Sequence, residues 1–320
     1  MQKVHCELLR DLPQQPLAEP SRWPGGRGEV RVTVRRSRSL PGRPGVVLRK
    51  SLVALDIACL LAASIPFFLC EIGVVSPMRR GFFCNDSSIS YPLLRVETIS
   101  DSVLISVGIL VTCLAITLGE SYHVHNFPHS SHAIVRNPYV VALYKEIGTF
   151  LFGCMVGQSL TNIAKLAVGR LRPHFLALCR PDFTHINCSA GYVEDYNCTG
   201  SPSEEKEARK SFYSGHASFA MYSMMYLAFY LQARFTWRGA RLLRPLVQFV
   251  LLMVAIYTGL TRISDYRHHP SDVAVGLLQG ALVAYWVAFH VSSMFRRKRQ
   301  PHQPPITILD SPSSDGHTDC

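Results

Sequence analysis

Apolar residues along this chain gather in blocks rather than in alternating faces, and six blocks are long enough to cross a membrane. A hydrocarbon core about 30 Å thick takes roughly 20 helical residues. The blocks run Leu52–Val74, Ser102–Leu118, Gly148–Leu166, Ala217–Phe235, Leu243–Leu260 and Val273–Phe295. In lipid each backbone polar group must be satisfied within its own segment, so all six are expected to be helices. The third carries Gln158, Ser159, Thr161 and Asn162 and reads as amphipathic. The expected fold class is all-α: one polytopic membrane domain of six transmembrane helices over residues 51–296. Two tails flank it, 1–50 and 297–320, both expected to be disordered on composition.

Composition agrees: 48% of the 320 residues are hydrophobic, and the mean hydropathy is +0.14. The net charge of +11 raises the question of nucleic acid, which its distribution answers. Residues 1–50 hold eleven Lys/Arg against four Asp/Glu. Arg234, Arg238, Arg241 and Arg244 sit between the fourth and fifth helices, and Arg296, Arg297, Lys298 and Arg299 follow the sixth. With six crossings all three groups share one side, the cytosol by the positive-inside rule, where they orient the helices and face anionic lipid. Both termini are therefore expected in the cytosol, with no nucleic-acid partner. The first fifty residues do not resemble a signal peptide, so the first helix is expected to serve as signal anchor.

The pattern Asn-x-Ser/Thr occurs at Asn85, Asn187 and Asn197, all in loops already assigned to the opposite side. Those loops also hold Cys84, Cys179, Cys188 and Cys198, in a compartment where disulfides persist. A Cys188–Cys198 bridge is the favoured pairing. Cys59, Cys70, Cys113 and Cys154 lie in or beside helices and read as packing residues. Asp56 and Glu71, in or near the first helix, are expected to hydrogen-bond toward the bundle.

Three clusters emerge at the outer helix ends. The first is Lys165-Leu-Ala-Val-Gly-Arg170-Leu-Arg172-Pro173, in which a helix running on from Lys165 would point Lys165 and Arg172 the same way. The second is Ser211-Phe-Tyr213-Ser214-Gly215-His216, and the third runs from Thr261-Arg262 through His268-His269-Pro270 to Asp272. Lys165, Arg172 and Arg262 can neutralise a phosphate, the guanidinium forks matching its oxygens in pairs. Ser214 reads as the N-cap of the fourth helix, whose free N–H groups form an anion seat that Gly215 leaves open. Pro270 suits the first turn of the sixth helix, so Asp272 can reach back to hold a histidine. Taken singly, each residue has an ordinary reading: a snorkelling anchor, a cap, a surface hydrogen bond. Their order and shared location point to phosphoryl transfer at membrane level. On spacing alone His268 and His269 are equal candidates for the nucleophile.

Lys-x6-Arg-Pro, Ser-Gly-His and Arg-x5-His-x3-Asp together resemble the signature of the type-2 phosphatidic acid phosphatase superfamily. Val168–Pro173, Ser211–His216, Arg241–Pro245 and Asp265–Asp272 resemble its phospholipid phosphatase branch, and the run 232–245 looks most like type-3 members. The likeness covers about residues 50 to 296. It implies a metal-independent phosphatase without cofactors, acting on phosphatidate, lysophosphatidate, ceramide 1-phosphate and sphingosine 1-phosphate. His268 would be the nucleophile, Asp272 its orienting carboxylate and His216 the general acid. Lys165, Arg172, Ser214, Gly215 and Arg262 would hold the phosphate, at the outer ends of helices three to six. The resemblance also implies residence in the plasma membrane, or in the endoplasmic reticulum and Golgi, with an extracellular or luminal site and homo- or hetero-oligomers with related phosphatases. Tyr213 departs from the superfamily's usual Pro and Thr261 from its usual Ser. Asn197–Gly200 stands where some type-3 members carry Arg-Gly-Asp, so integrin binding is not implied. Rival readings are a phosphatase for a soluble ester or narrow sphingoid substrate, and a non-catalytic scaffold or channel-like protein.

Overall fold

A computed structural model describes residues 50–126, 137–235 and 240–295. The two tails lie outside the described residues, as do Arg238 and the run Arg296–Arg299. The long helices are α1 (Lys50–Glu71), α2 (Asp101–Asn126) and α3 (Pro138–Val168); two short ones follow, α4 (Phe175–Cys179) and α5 (Pro202–Ala208). Then come α6 (Gly215–Arg234), α7 (Leu243–Ser264) and α8 (Pro270–Trp286), the last continued by a π-helical turn over Val287–Val291.

Every expected block is a helix, with two boundaries moved. Helix α2 runs on to Asn126, and α3 starts at Pro138, where Asn137 caps it by accepting from the Tyr139 N–H at 3.0 Å. Among the described residues, five helices are long and apolar enough to cross a membrane: α1, α2, α3, α7 and α8 with its extension. Helix α6 departs from the expected six, because it carries Ser218, Tyr222, Ser223, Tyr226 and Tyr230. Its position explains its polarity. It is buried on nearly every face, at the centre of the bundle, with α2, α3, α7 and α8 around it. A helix whose neighbours are protein needs no uniformly apolar surface, provided its polar groups are paired. Tyr222 donates to the Phe150 carbonyl at 2.8 Å, and Ser223 to the Phe219 carbonyl at 2.8 Å.

Helices α6 and α8 share the closest seam. A Cβ on Gly276 would come within 2.6 Å of the Ser214 carbonyl oxygen, and one on Gly280 within 2.2 Å of the Ser218 carbonyl oxygen. Two glycines four residues apart thus let the backbones touch, the small-xxx-small arrangement of membrane helix pairs. Helix α1, by contrast, packs mainly on α3. Tyr144 donates to Asp56 at 2.7 Å and Asn162 to Glu71 at 3.0 Å, so both acids of α1 do bond toward the bundle.

A small cap covers one end. Strand β1 (Phe82–Phe83) pairs antiparallel with β2 (Tyr192–Val193). Phe82, Phe175 and Tyr196 meet edge-on beneath it in a buried cluster. The disulfides correct the favoured pairing: Cys84 joins Cys188, and Cys179 joins Cys198. Pairing of β1 with β2 carries Cys84 toward the Cys188 turn, and an antiparallel bridge between Pro181 and Cys198 aligns the second pair. Cross-strand register, not nearness in sequence, selects the partners. Asn85, Asn187 and Asn197 are exposed on this cap.

Candidate active site

Below the cap a cavity of about 610 Å3 opens among α1, α2, α3, α6 and α7. Its polar end is lined by Lys165, Arg172, Gly215, His216, Arg262 and His268. Most of the sequence-nominated phosphate and histidine groups are therefore brought together. Ser214 and Asp272 stand just behind the wall: both are fully buried, and the Ser214 N–H donates to the Asp272 carbonyl at 3.1 Å.

The route by which Lys165 and Arg172 converge differs from the expected continuous helix. Helix α3 ends at Val168, and Gly169 caps it in the left-handed region with φ of 59°. Its N–H bonds the Lys165 carbonyl at 3.2 Å, and a Cβ there would strike the Met78 carbonyl oxygen at 2.2 Å. Glycine is the residue that adopts this conformation without strain. The chain then turns over the cavity, and Arg172 is anchored by its N–H to the Ala208 carbonyl at 2.8 Å.

Helix α6 begins as the motif implied. Ser214 is its N-cap, accepting from the Ala217 N–H at 3.4 Å. A Cβ on Gly215 would lie 3.5 Å from Lys165 Nζ, so the ammonium approaches the positive end of α6. An anion between them meets a fixed cation and free N–H groups at once.

His268 is buried, and its Nδ1 lies 2.7 Å from the Ser211 carbonyl oxygen. A carbonyl only accepts, so Nδ1 carries the proton and Nε2 holds the lone pair. Burial pushes this ring down to about 3, with Arg172 and Lys165 adding to the effect and Asp272 opposing it. It is neutral at physiological pH. Asp272 is 3.9 Å from Nδ1, too far for a hydrogen bond, so the expected direct hold is replaced by an indirect one. Its carboxylate accepts from the Ser211 hydroxyl at 2.6 Å, the His269 N–H at 3.1 Å and Arg170 at 2.6 Å. It thereby fixes the segment whose carbonyl holds His268. His269 turns elsewhere: its Nε2 bonds the Leu171 carbonyl at 3.0 Å, and it does not line the cavity.

His216 sits between three groups. Its Nδ1 is 3.4 Å from Asp101, and its Nε2 is 3.1 Å from the Ile99 carbonyl and 3.3 Å from Arg262 Nη1. Protonated, the ring donates to Asp101 and Ile99; with Nε2 bare, it accepts from Arg262. Each protonation state therefore has partners, which suits a group that gives and later takes a proton.

Sequence reading missed three of the cavity carboxylates, Glu97, Asp101 and Glu207. Glu207 pairs with Arg172 and, at 3.3 Å, with Lys210. Burial would raise Glu207, but Arg172, Lys165 and Lys210 prevail and hold it below the usual carboxylate range. Glu97 bridges Arg262 at 2.9 Å and Arg267 at 3.0 Å. Among the described residues, five cations (Lys165, Arg172, Lys210, Arg262, Arg267) and four carboxylates (Glu71, Glu97, Asp101, Glu207) line the cavity. Acids in an anion site carry no motif, and only their place at the same helix ends could have signalled them.

Comparison with known proteins supplies the family. A family model described as the PAP2 superfamily matches residues 146–296. Phospholipid phosphatase 2 of Mus musculus is 53% identical over 79% of this chain and 89% of its own length. Phospholipid phosphatase 1 of Mus musculus is 47% identical over 83% and 95%, and phospholipid phosphatase 2 of Homo sapiens 50% identical over 78% and 86%. No solved structure matches the chain. With apolar helices, an all-α bundle and kinship along most of its length, the chain is a multi-pass membrane phosphatase of the phospholipid phosphatase family.

Proposed function

We propose that this chain dephosphorylates lipid phosphates through a phosphohistidine on His268, without a metal. The observation that carries the reading is the two-ended cavity. Beyond its cationic end it continues between Phe67 of α1, Leu104, Ile105 and Ile109 of α2, and Met155 of α3. A soluble ester has no use for that apolar half, whereas a lipid would lay its chain there and present its headgroup to the cations. Phosphatidate, lysophosphatidate, ceramide 1-phosphate and sphingosine 1-phosphate all have this form.

In the proposed reaction His268 Nε2 attacks phosphorus in line, and the phosphorus–oxygen bond to the lipid breaks. The departing alkoxide takes a proton from His216, leaving that ring neutral. Water then attacks the phosphorus–nitrogen bond and loses its proton to His216, releasing phosphate and restoring both histidines. Lys165, Arg172, Arg262 and the N-terminus of α6 stabilise the charge on the phosphoryl oxygens. The Ser211 carbonyl, tightened by Asp272, steadies the positive charge that the imidazole gains on attack.

The orientation belongs to the same proposal: site outside, termini in the cytosol, in the plasma membrane or along the route to it. It is supported by three exposed sequons and two disulfides at the site end. Phosphate release from phosphatidate in detergent, with chelator present, tests the chemistry. Label should pass from substrate to wild-type protein but not to His268→Ala. Label transfer to the variant, or a requirement for added metal, would refute the reading. Glycosidase-sensitive sugar on Asn187 tests the orientation.

A further inference from the structure

Arg262 is 1% exposed, and Glu97, Asp265, His216 and Thr261 surround its guanidinium. Nη1 donates to Glu97 at 2.9 Å, and Nη2 to Asp265 at 2.8 Å. A phosphate gripped in bidentate fashion through the N–H groups now given to carboxylates would exchange with Glu97 or Asp265. Asp265 is the poorer candidate: it also accepts from the Thr98 N–H at 3.0 Å and hydroxyl at 2.7 Å, and it does not line the cavity. Glu97 lines the cavity, is 27% exposed and comes from the irregular segment before α2. It also has a second hold, because its other oxygen meets Arg267 at 3.0 Å.

We infer that Glu97 is an internal competitor for the phosphate seat on Arg262, giving way to substrate and returning as inorganic phosphate leaves. The inference rests on the proposed phosphate site and adds a step to it. Asp265 stays on Arg262 at 2.8 Å while Glu97 yields, so the exchange is anion for anion and the charge around the buried guanidinium is kept. Retained by Arg267, Glu97 remains close enough to compete when the phosphate–nitrogen bond has been hydrolysed. Among the cavity carboxylates, Glu207 is tied to Arg172 and Lys210, and Asp101 faces His216.

The sign of one measurement separates this role from mere support. If Glu97 competes, Glu97→Gln should bind inorganic phosphate and vanadate more tightly, lowering their inhibition constants about tenfold, with the KM for phosphatidate falling in parallel. If Glu97 only braces Arg262, the same change should weaken phosphate binding. Glu97→Asp keeps the charge but shortens the reach, and should give an intermediate decrease. Unchanged or raised inhibition constants in both variants would overturn the inference, as would loss of folded protein in both. Failure of the underlying site would look different: wild-type protein would then neither release phosphate from phosphatidate nor be inhibited by phosphate or vanadate.

Discussion

Charge is buried at both ends of the bundle, and the two ends use it differently. At the site end, cations outnumber carboxylates around a cavity. At the other, Glu120 and Glu146, each 3% exposed, share Arg234, which stands 2.8 Å from the first and 3.2 Å from the second. Tyr230 donates to Glu120 at 3.1 Å and Ser292 to Glu146 at 3.3 Å, and none of these residues lines the cavity. The acid-rich end ties α2, α3, α6 and the turn after α8 into a closed network. The base-rich end leaves its ions facing open space, where an anion can join them. Burial of charge alone is thus no sign of a site; surplus cation beside a cavity is.

This contrast can be broken most forcefully at His268. His268→Ala should reduce phosphatidate hydrolysis by at least about 10³-fold while thermal unfolding in detergent stays near wild type. Comparable loss of both would place His268 with the structural end. Arg234→Met should do the reverse, leaving two buried carboxylates without their cation. A stability loss of about 3 kcal/mol is expected, with kcat/KM per folded molecule little altered. Gly280→Ala spans the two regions, since its methyl would press on the Ser218 carbonyl. Overpacking of this kind costs about 1–3 kcal/mol, and activity should fall beyond what the loss of folded protein explains.

A last effect concerns pH. His268 in the folded chain lies at about 3 and His174, mainly through burial, at about 4, both below the ordinary histidine value. As pH falls through about 6.5 the unfolded chain takes up these protons first. Stability is therefore full above that value and declines toward pH 4, seen as a midpoint clearly lower at pH 5 than at pH 7. Activity should show no loss from protonation of His268 over that interval. A midpoint that rises on acidification would contradict the buried neutral rings.

Much of this was legible in the sequence because catalytic residue types repeat a demand of chemistry. Lys165, Arg172, His216, Arg262 and His268 could be nominated from type and helix-end position, and all five reach one cavity. What remained hidden depends on partners brought by folding. The hold on His268 comes from a backbone carbonyl at Ser211, and a carbonyl leaves no mark in a sequence. The polarity of α6 obscures its place at the centre of the bundle, because hydropathy measures fitness for lipid rather than for protein. Cys84 and Cys179 found their partners through strand pairing that four isolated cysteines do not encode.

The glycine seam between α6 and α8 has a mechanical side. His216 rides at the start of one helix, and His268 just ahead of the start of the other. Their alignment depends on two backbones in contact at Gly276 and Gly280. Sliding one helix by a single residue's rise, about 1.5 Å, would shift His216 relative to His268 while both helices stayed intact. The relative placement of the two histidines is in that sense set by a backbone-to-backbone contact inside the bundle.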